Sequence, residues 1–260
     1  MSRSSLYINR DSTLHRLDPR STLAGIIGLF IAGYIFDHPA FAGVPMLVGF
    51  TILVLVGGWP NLRRLTPIIV ALFSVGLAVW PFFTPAGGST LIAFGPVALT
   101  EREIFFALGR SERIATFIFG GLIFVTTTTN EEIVRGLRQL GFPYVFCFAI
   151  GTALRLFPTF IDAAQTVRQA QEARGLDIQS GGLRDRLRNY IPLLIPVFMT
   201  AFRNVTTQSM ALEARGFDTQ RQRTFYNKTS LKRVDWAVIL VAFVVAVTAV
   251  WLRTQGFGTL

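Results

Sequence analysis

The chain is organised around long stretches that contain no charged residue. Five runs without Asp, Glu, Lys or Arg cover residues 21–36, 38–62, 65–100, 114–130 and 236–252. A helix needs about 20 predominantly apolar residues to cross the hydrocarbon core of a bilayer. The runs therefore predict an all-α membrane protein with about five transmembrane helices. In the first run, Ala24, Gly28 and Ala32 recur at four-residue spacing, which predicts a seam for close helix packing.

The basic residues predict how these helices are oriented, because Lys and Arg accumulate in cytoplasmic loops. Four arginines precede the first run, and Arg63 and Arg64 follow the second. We therefore expect the N-terminus inside the cell, Asp37-His38-Pro39 as a tight outer turn and residues 84–112 as an outer loop. Residues 1–20 lack the apolar segment of a cleavable signal peptide. The expected location is a bacterial or archaeal inner membrane.

The central part of the chain carries most of the positive charge. Its two uncharged stretches, residues 139–154 and 189–202, are short for a span, and a crossing by either would place arginine clusters outside. We therefore predict amphipathic helices that lie along the membrane or dip into it. The predicted organisation is transmembrane helices 1–4 in residues 1–130, a cytoplasmic-side helical region in residues 131–234 and a last transmembrane helix in residues 235–260.

One motif occurs twice in this central region. Residues 172–177 and 213–218 both read Glu-Ala-Arg-Gly-apolar-Asp. Glycine suits the left-handed position just after a helix end, and arginine complements the negative end of the helix dipole. An ordinary helix cap explains the Arg-Gly pair, but it requires neither Glu, Ala nor Asp at fixed offsets. The repeat therefore predicts two helix tips that each present one guanidinium group, which suits a partner with two equivalent carboxylate-bearing sockets.

Each motif copy follows an amphipathic pattern with helical periodicity. Pro158, Pro192 and Pro196 indicate the start or a bend of these helices. The first apolar stripe comprises Phe157, Phe160, Ile161, Ala164 and Val167, and the second comprises Leu194, Val197, Phe198, Ala201, Val205 and Leu212.

Catalytic and cofactor chemistry is not indicated. The net charge is +10 and 51% of the residues are hydrophobic. The single Cys147 excludes an intramolecular disulfide, and His15 and His38 are expected on opposite sides of the membrane, where they cannot share a metal. There is no phosphate-binding Gly-x-x-x-x-Gly-Lys-Ser/Thr loop. We expect a protein that is not an enzyme and has no cofactor.

The two motif copies resemble those of the EcfT/CbiQ family, the transmembrane T-components of energy-coupling factor (ECF) transporters. The similarity rests on Ala173-Arg174-Gly175 and Ala214-Arg215-Gly216. Residues 12–20 and 128–143 are also similar to the family's entry into its first span and its lead into the coupling helices. At the end of the first segment the family usually reads Pro-Arg-Thr-Lys-Leu, whereas this chain reads Pro-Arg-Ser-Thr-Leu at residues 19–23 and lacks the lysine.

The resemblance implies a scaffold that joins two ABC-type ATPases to a small membrane substrate-binding protein, the S-component. Arg174 and Arg215 would dock into the two ATPase subunits, and the flanking Ala and Gly residues would permit close approach. The apolar stripes, apart from Leu212, would contact the S-component. Closure of the ATPase pair would move the helix tips and so release cargo. Because the S-component selects the cargo, vitamins, vitamin precursors and nickel or cobalt ions all remain open, as does whether the ATPases are identical or the S-component shared.

Two other function classes compete with this scaffold. A secondary carrier acting alone usually needs ionisable residues at membrane depth, and the middles of the predicted spans contain none. A membrane-surface module for anionic lipid or nucleic acid would bind according to its total positive charge. The position of individual arginines would then matter little, whereas docking through the motif requires Arg174 and Arg215 where they are.

Overall fold

The structure, a computed structural model, describes residues 13–83, 90–94, 97–176, 182–218 and 231–258. A short 3-10 turn at Thr13–Arg16 precedes the first helix. The helices are α1 (Pro19–Ile35), α2 (Pro39–Leu55), α3 (Trp59–Phe83), α4 (Glu101–Thr127), α5 (Asn130–Gln139), α6 (Tyr144–Ala173), α7 (Leu183–Ala214) and α8 (Arg233–Thr254). Strands β1 (Thr90–Phe94) and β2 (Val97–Thr100) form an antiparallel hairpin with Phe94 opposite Val97.

The chain divides into two compact units. The larger unit comprises Met1–Gly136 and Lys228–Leu260, and the smaller unit comprises Leu137–Asn227. The smaller unit contains α6 and α7, and therefore both motif copies. The predicted all-α membrane class is confirmed, with one short hairpin that the sequence did not predict.

Among the residues that the structure describes, three helices are long and apolar enough to cross a membrane, namely residues Trp59–Val79 of α3, all of α6 and all of α8. Helices α1 and α2 are apolar but shorter, at 17 residues each. From the sequence, the uncharged residues 139–154 are too short to span a membrane. In the structure they belong to the longer helix α6, which continues through Pro158 to Ala173. A proline inside a helix removes one backbone donor but does not have to end the helix. Pro192 and Pro196 likewise lie inside α7, so none of the three prolines starts a helix.

The small-residue seam of α1 packs within the chain. A Cβ atom built on Gly28 would lie 2.9 Å from the Cβ atom of Ala242 in α8. Ala32 and Ala249 are buried in one cluster further along the same two helices. Glycine at position 28 therefore permits a close approach of α1 and α8, as the seam predicts.

The predicted outer loop at residues 84–112 is wrong for its second half, since α4 begins at Glu101. The backbone N–H of Thr100 donates to Oε2 of Glu103 at 2.9 Å, which caps the start of this helix. Of the charges that indicate a loop, Glu103 is buried, whereas Glu101 and Arg102 are exposed at the start of the helix. The predicted turn at Asp37-His38-Pro39 is confirmed, because α1 ends at Ile35 and α2 begins at Pro39.

Asp37 joins three helices of the larger unit. Its carboxylate lies 3.1 Å from Arg113 and 3.7 Å from Arg110, both on α4, and 2.7 Å from Arg253 at the end of α8. Arg113 also donates to the carbonyl oxygens of Gly33 and Phe36. The interaction therefore fixes the α1–α2 turn against the middle of α4 and the end of α8.

At the other end of α1, Asp235 ties the starts of α1 and α8 together. Its Oδ1 accepts the Asp18 N–H and the Ser21 hydroxyl, each at 2.8 Å, and its Oδ2 accepts the Lys232 N–H at 2.8 Å. Asp235 is buried and each of these donors satisfies one of its lone pairs. Asp235 joins the starts of α1 and α8, and Asp37 joins their ends through Arg253. The two helices therefore run parallel.

We predict that Asp37→Asn destabilises the larger unit by up to about 3 kcal/mol, because it leaves a largely buried Arg113 without its carboxylate. The measurement is the thermal unfolding midpoint of the purified protein in detergent. Asp162→Asn is the matched control, since Asp162 is exposed on α6. Equal unfolding midpoints for the two variants would contradict the structural role of Asp37.

Candidate functional site

The first motif copy folds as a complete helix C-cap. The Gly175 N–H donates to the Glu172 carbonyl at 3.0 Å, and the Leu176 N–H donates to the Gln171 carbonyl at 3.0 Å. Gly175 has a φ of 88°, in the left-handed region. This pair of bonds defines a Schellman motif, in which two helix-end carbonyls that would otherwise lack partners are satisfied. Asp177 lies outside the described residues.

The second copy has the same geometry. The Gly216 N–H donates to the Glu213 carbonyl at 2.8 Å, the Phe217 N–H donates to the Leu212 carbonyl at 2.9 Å, and the φ of Gly216 is 67°. The prediction of a left-handed glycine after each helix is therefore confirmed. The sequence repeat corresponds to a repeat of backbone structure.

Both motif arginines are exposed at the helix ends. Arg174 and Arg215 are each the last residue before the left-handed glycine, and the adjacent Ala173 and Ala214 are exposed too. Within the described part of the chain, neither guanidinium group forms a hydrogen bond or an ion pair. Each is therefore available for a contact with a carboxylate supplied from outside the chain.

The two copies differ at their glutamates. Glu172 accepts a hydrogen bond from Nε of Arg168 at 2.8 Å, one helical turn earlier. The corresponding position before Glu213 is Ser209, which has no charge. Arg168 is thus held by an acidic neighbour on its own helix, unlike the arginine six residues after it.

Contacts near both ends make α6 and α7 antiparallel. Gln171, near the end of α6, donates its side-chain N–H to the Pro192 carbonyl in the first third of α7 at 3.3 Å. Phe217, just after α7, packs on Phe148 near the start of α6, with ring centroids 4.7 Å apart. At about 1.5 Å of rise per residue, these contacts place the two arginine-bearing ends on the order of 40 Å apart.

The Gln171–Pro192 bond is a part of the site that the sequence analysis missed. Residue 196 is also a proline, so it has no N–H to donate to the carbonyl of residue 192 four positions earlier. The Gln171 side chain supplies the missing donor. Prolines spaced four apart in one helix are the sequence signal that an outside donor is required there.

The structure divides the two predicted apolar stripes into two sets. The half-buried set comprises Phe160, Ala164, Val167, Val197, Ala201 and Leu212. Its three α6 members lie in phase with Gln171, on the side of α6 that contacts α7. The exposed set comprises Phe157, Ile161, Leu194, Phe198 and Val205. The exposed set offers the larger apolar surface to a partner, and on α7 it continues into Ile191, Ile195, Met199 and Phe202.

Comparisons with known proteins find relatives that match most of the chain. A family model described as a cobalt transport protein, CbiQ, matches residues 10–226. The chain is 31% identical to an energy-coupling factor transporter transmembrane protein EcfT of Brevibacillus brevis, over 95% of this chain and 97% of that protein. It is 29% identical to the EcfT protein of Limosilactobacillus fermentum, with 93% of each chain covered.

One further relative has a different name. The chain is 26% identical to a putative ABC transporter ATP-binding protein of Bifidobacterium longum. The match covers 92% of this chain but 32% of that protein, so a region similar to the whole of this chain forms about a third of a longer polypeptide there.

We predict that Gly175→Ala and Gly216→Ala loosen the caps by about 1–2 kcal/mol each, because an L-residue is strained in the left-handed region. A Cβ atom at either position meets nothing within 4 Å, so the cost is backbone strain alone. The measurement is amide hydrogen exchange at Leu176 and Phe217, which should accelerate. Gly121→Ala in the interior of α4 also meets nothing within 4 Å and should leave both rates unchanged.

We predict that Gln171→Leu weakens the α6–α7 contact by about 1 kcal/mol, because the Pro192 carbonyl loses its donor. Hydrogen exchange along α6 and α7 measures the change. Gln169→Leu is the matched control, since Gln169 is exposed on the same helix. Identical exchange in the two variants would show that the bond contributes nothing.

Proposed function

The chain belongs to the CbiQ/EcfT family, the transmembrane T-components of ECF transporters, and we propose that Arg174 and Arg215 dock it onto two ABC-type ATPase subunits. Family membership makes it a membrane component of a transporter. The observation that carries the docking proposal is the repeated cap, which holds one exposed arginine at each of two helix ends.

The spacing of the two ends supports one ATPase subunit per arginine. Ends on the order of 40 Å apart are too distant for one compact socket, whereas a pair of similar subunits offers two equivalent sockets. Arginine fits such sockets because its guanidinium group can bind a carboxylate through two parallel hydrogen bonds. The exposed alanine and the glycine beside each arginine add little bulk to the contact.

We assign the chain a role in transmitting force and no catalytic role. ATP-driven movement of the two ATPase subunits would displace the ends of α6 and α7 relative to each other. The Gln171–Pro192 bond and the Phe217–Phe148 contact connect those ends to the bodies of both helices. A displacement of the ends would therefore shift the exposed apolar set.

We propose that this exposed apolar set, centred on Phe157, Ile161, Leu194, Phe198 and Val205, contacts a membrane substrate-binding S-component. Exposed large apolar side chains in such number are typical of a protein or membrane contact. The S-component would select the cargo, a vitamin, a vitamin precursor or a transition-metal ion. The proposed location is the inner membrane with the N-terminus in the cytoplasm. We further propose that α6 and α7 lie along the cytoplasmic side of the membrane, so that both arginines face the ATPases.

The relative from Bifidobacterium longum supports the ATPase partnership. A region similar to this chain forms part of a protein whose name describes it as ATP-binding. Fusion of two components in one polypeptide is expected when they work in one complex. The present chain contains no phosphate-binding loop and would use separate ATPase subunits.

We predict that Arg174→Ala or Arg215→Ala weakens co-purification with the ATPases by roughly 30-fold or more, because each leaves a socket carboxylate unpaired. The double variant should abolish uptake by cells that express all components. The matched control is the double variant Arg188→Ala/Arg203→Ala, which removes the same charge from exposed positions on α7. Normal assembly and uptake in the first double variant would end the docking proposal.

A further inference from the structure

An apolar groove in the larger unit has no assigned role. It lies between α1 and α8, with α2 and α4 behind it, and has a volume of about 370 Å³. Thr22 is the single polar side chain among the residues that line it. The lining residues that carry the argument are Gly25 and Leu29 of α1 and Val234, Val238, Val241 and Val245 of α8.

The length of the groove corresponds to one leaflet of a bilayer. Its lining runs along α8 from Val234 to Val245, which is about 16 Å at 1.5 Å of rise per residue. The hydrocarbon core of a bilayer is about 30 Å thick, so one leaflet is about 15 Å deep. The groove begins at the start of α8, where α1 also starts, and ends near the middle of the bilayer.

The groove is elongated and apolar. A volume of about 370 Å³ extends along about 16 Å of α8, and the lining is apolar apart from Thr22. An extended hydrocarbon chain, which has no polar group to satisfy, suits such a lining.

The mouth of the groove is basic. Lys232 and Arg233 directly precede Val234 and are both exposed. Asp235 and Asp18 lie beside them, but both are buried and accept backbone hydrogen bonds, from Lys232 and Arg20 respectively. The exposed charge at the mouth is therefore positive, at the depth where lipid phosphate groups lie.

We propose that the groove binds one anionic phospholipid from the leaflet in which α1 and α8 begin, with an acyl chain between these helices and its phosphate at Lys232 and Arg233. Apolar burial of the chain supplies affinity, and the basic pair supplies preference for a negatively charged headgroup. The lipid would cover the small-residue surface beside the α1–α8 seam. This site is independent of the proposed docking to ATPases.

The test is native mass spectrometry of the chain alone, released from detergent with equal amounts of phosphatidylglycerol and phosphatidylcholine that have identical acyl chains. We expect one retained phosphatidylglycerol, favoured by about fivefold for each basic side chain that contacts it. Lys232→Gln/Arg233→Gln should reduce phosphatidylglycerol to the level of phosphatidylcholine. Arg63→Gln/Arg64→Gln removes the same charge from an exposed pair on α3 and should change nothing.

A second pair of variants tests the groove itself. Val241→Phe fills it and should lower retention of both lipids at least fivefold relative to the unchanged chain. Val247→Phe is the control, because Val247 lies on α8 with a similar exposed fraction, 49% against 57%, but does not line the groove. Equal retention in these two variants, or a headgroup preference that survives Lys232→Gln/Arg233→Gln, would overturn the proposal.

Discussion

A glycine in the left-handed region after each long helix of the smaller unit determines what that unit presents to other molecules. An α-helix leaves its last carbonyls without partners, and the Schellman bonds of Gly175 and Gly216 satisfy two of them at each end. The arginine before each glycine then stands at the last helical turn with its side chain exposed. Any other residue at the glycine position would strain the turn that sets this arrangement.

The antiparallel pairing of α6 and α7 keeps their two arginine-bearing ends apart. Two parallel helices would bring their arginine-bearing ends together, where two positive charges would repel each other. In the antiparallel pair the ends lie apart, and Gln171 and Phe217 each anchor one end to the other helix. Gln171 directly precedes the first motif copy, and Phe217 is the apolar residue of the second. The same short segments therefore terminate the helices, expose the arginines and connect the helices to each other.

The elements that depend only on residues close to them in the sequence could be predicted from the sequence. The two caps, the turn at Asp37-His38-Pro39 and the small-residue seam of α1 follow from local rules for glycine, proline and helix periodicity. The start of α4 could not be predicted in this way. Arg110 looks like a loop charge in the sequence, but in the structure it lies 3.7 Å from the carboxylate of Asp37. Such a partner is visible only in the folded chain.

In the candidate site, too, some features follow from the sequence alone and others require the tertiary structure. The repeat identifies Arg174 and Arg215, because a repeated motif stands out without any knowledge of the fold. The apolar stripes were predicted as one surface for a partner, but a helical stripe packs equally well against a neighbouring helix of the same chain. Phe160, Ala164 and Val167 lie on the side of that internal contact, whereas Phe157 and Ile161 remain exposed. Periodicity gives the face of a helix, but only tertiary structure shows what covers it.

The distribution of charge partners distinguishes docking from general attraction to anionic surfaces. A module that binds through its net charge of +10 would use all its exposed arginines alike. The structure instead separates the arginines by what they contact. Arg113 and Arg253 are bound to Asp37, and Arg168 is bound to Glu172. Arg174 and Arg215 have no such partner within the described residues, although acidic residues occur in both motif copies. The contrast between these paired arginines and the two motif arginines favours a specific contact with another protein over attraction by total charge.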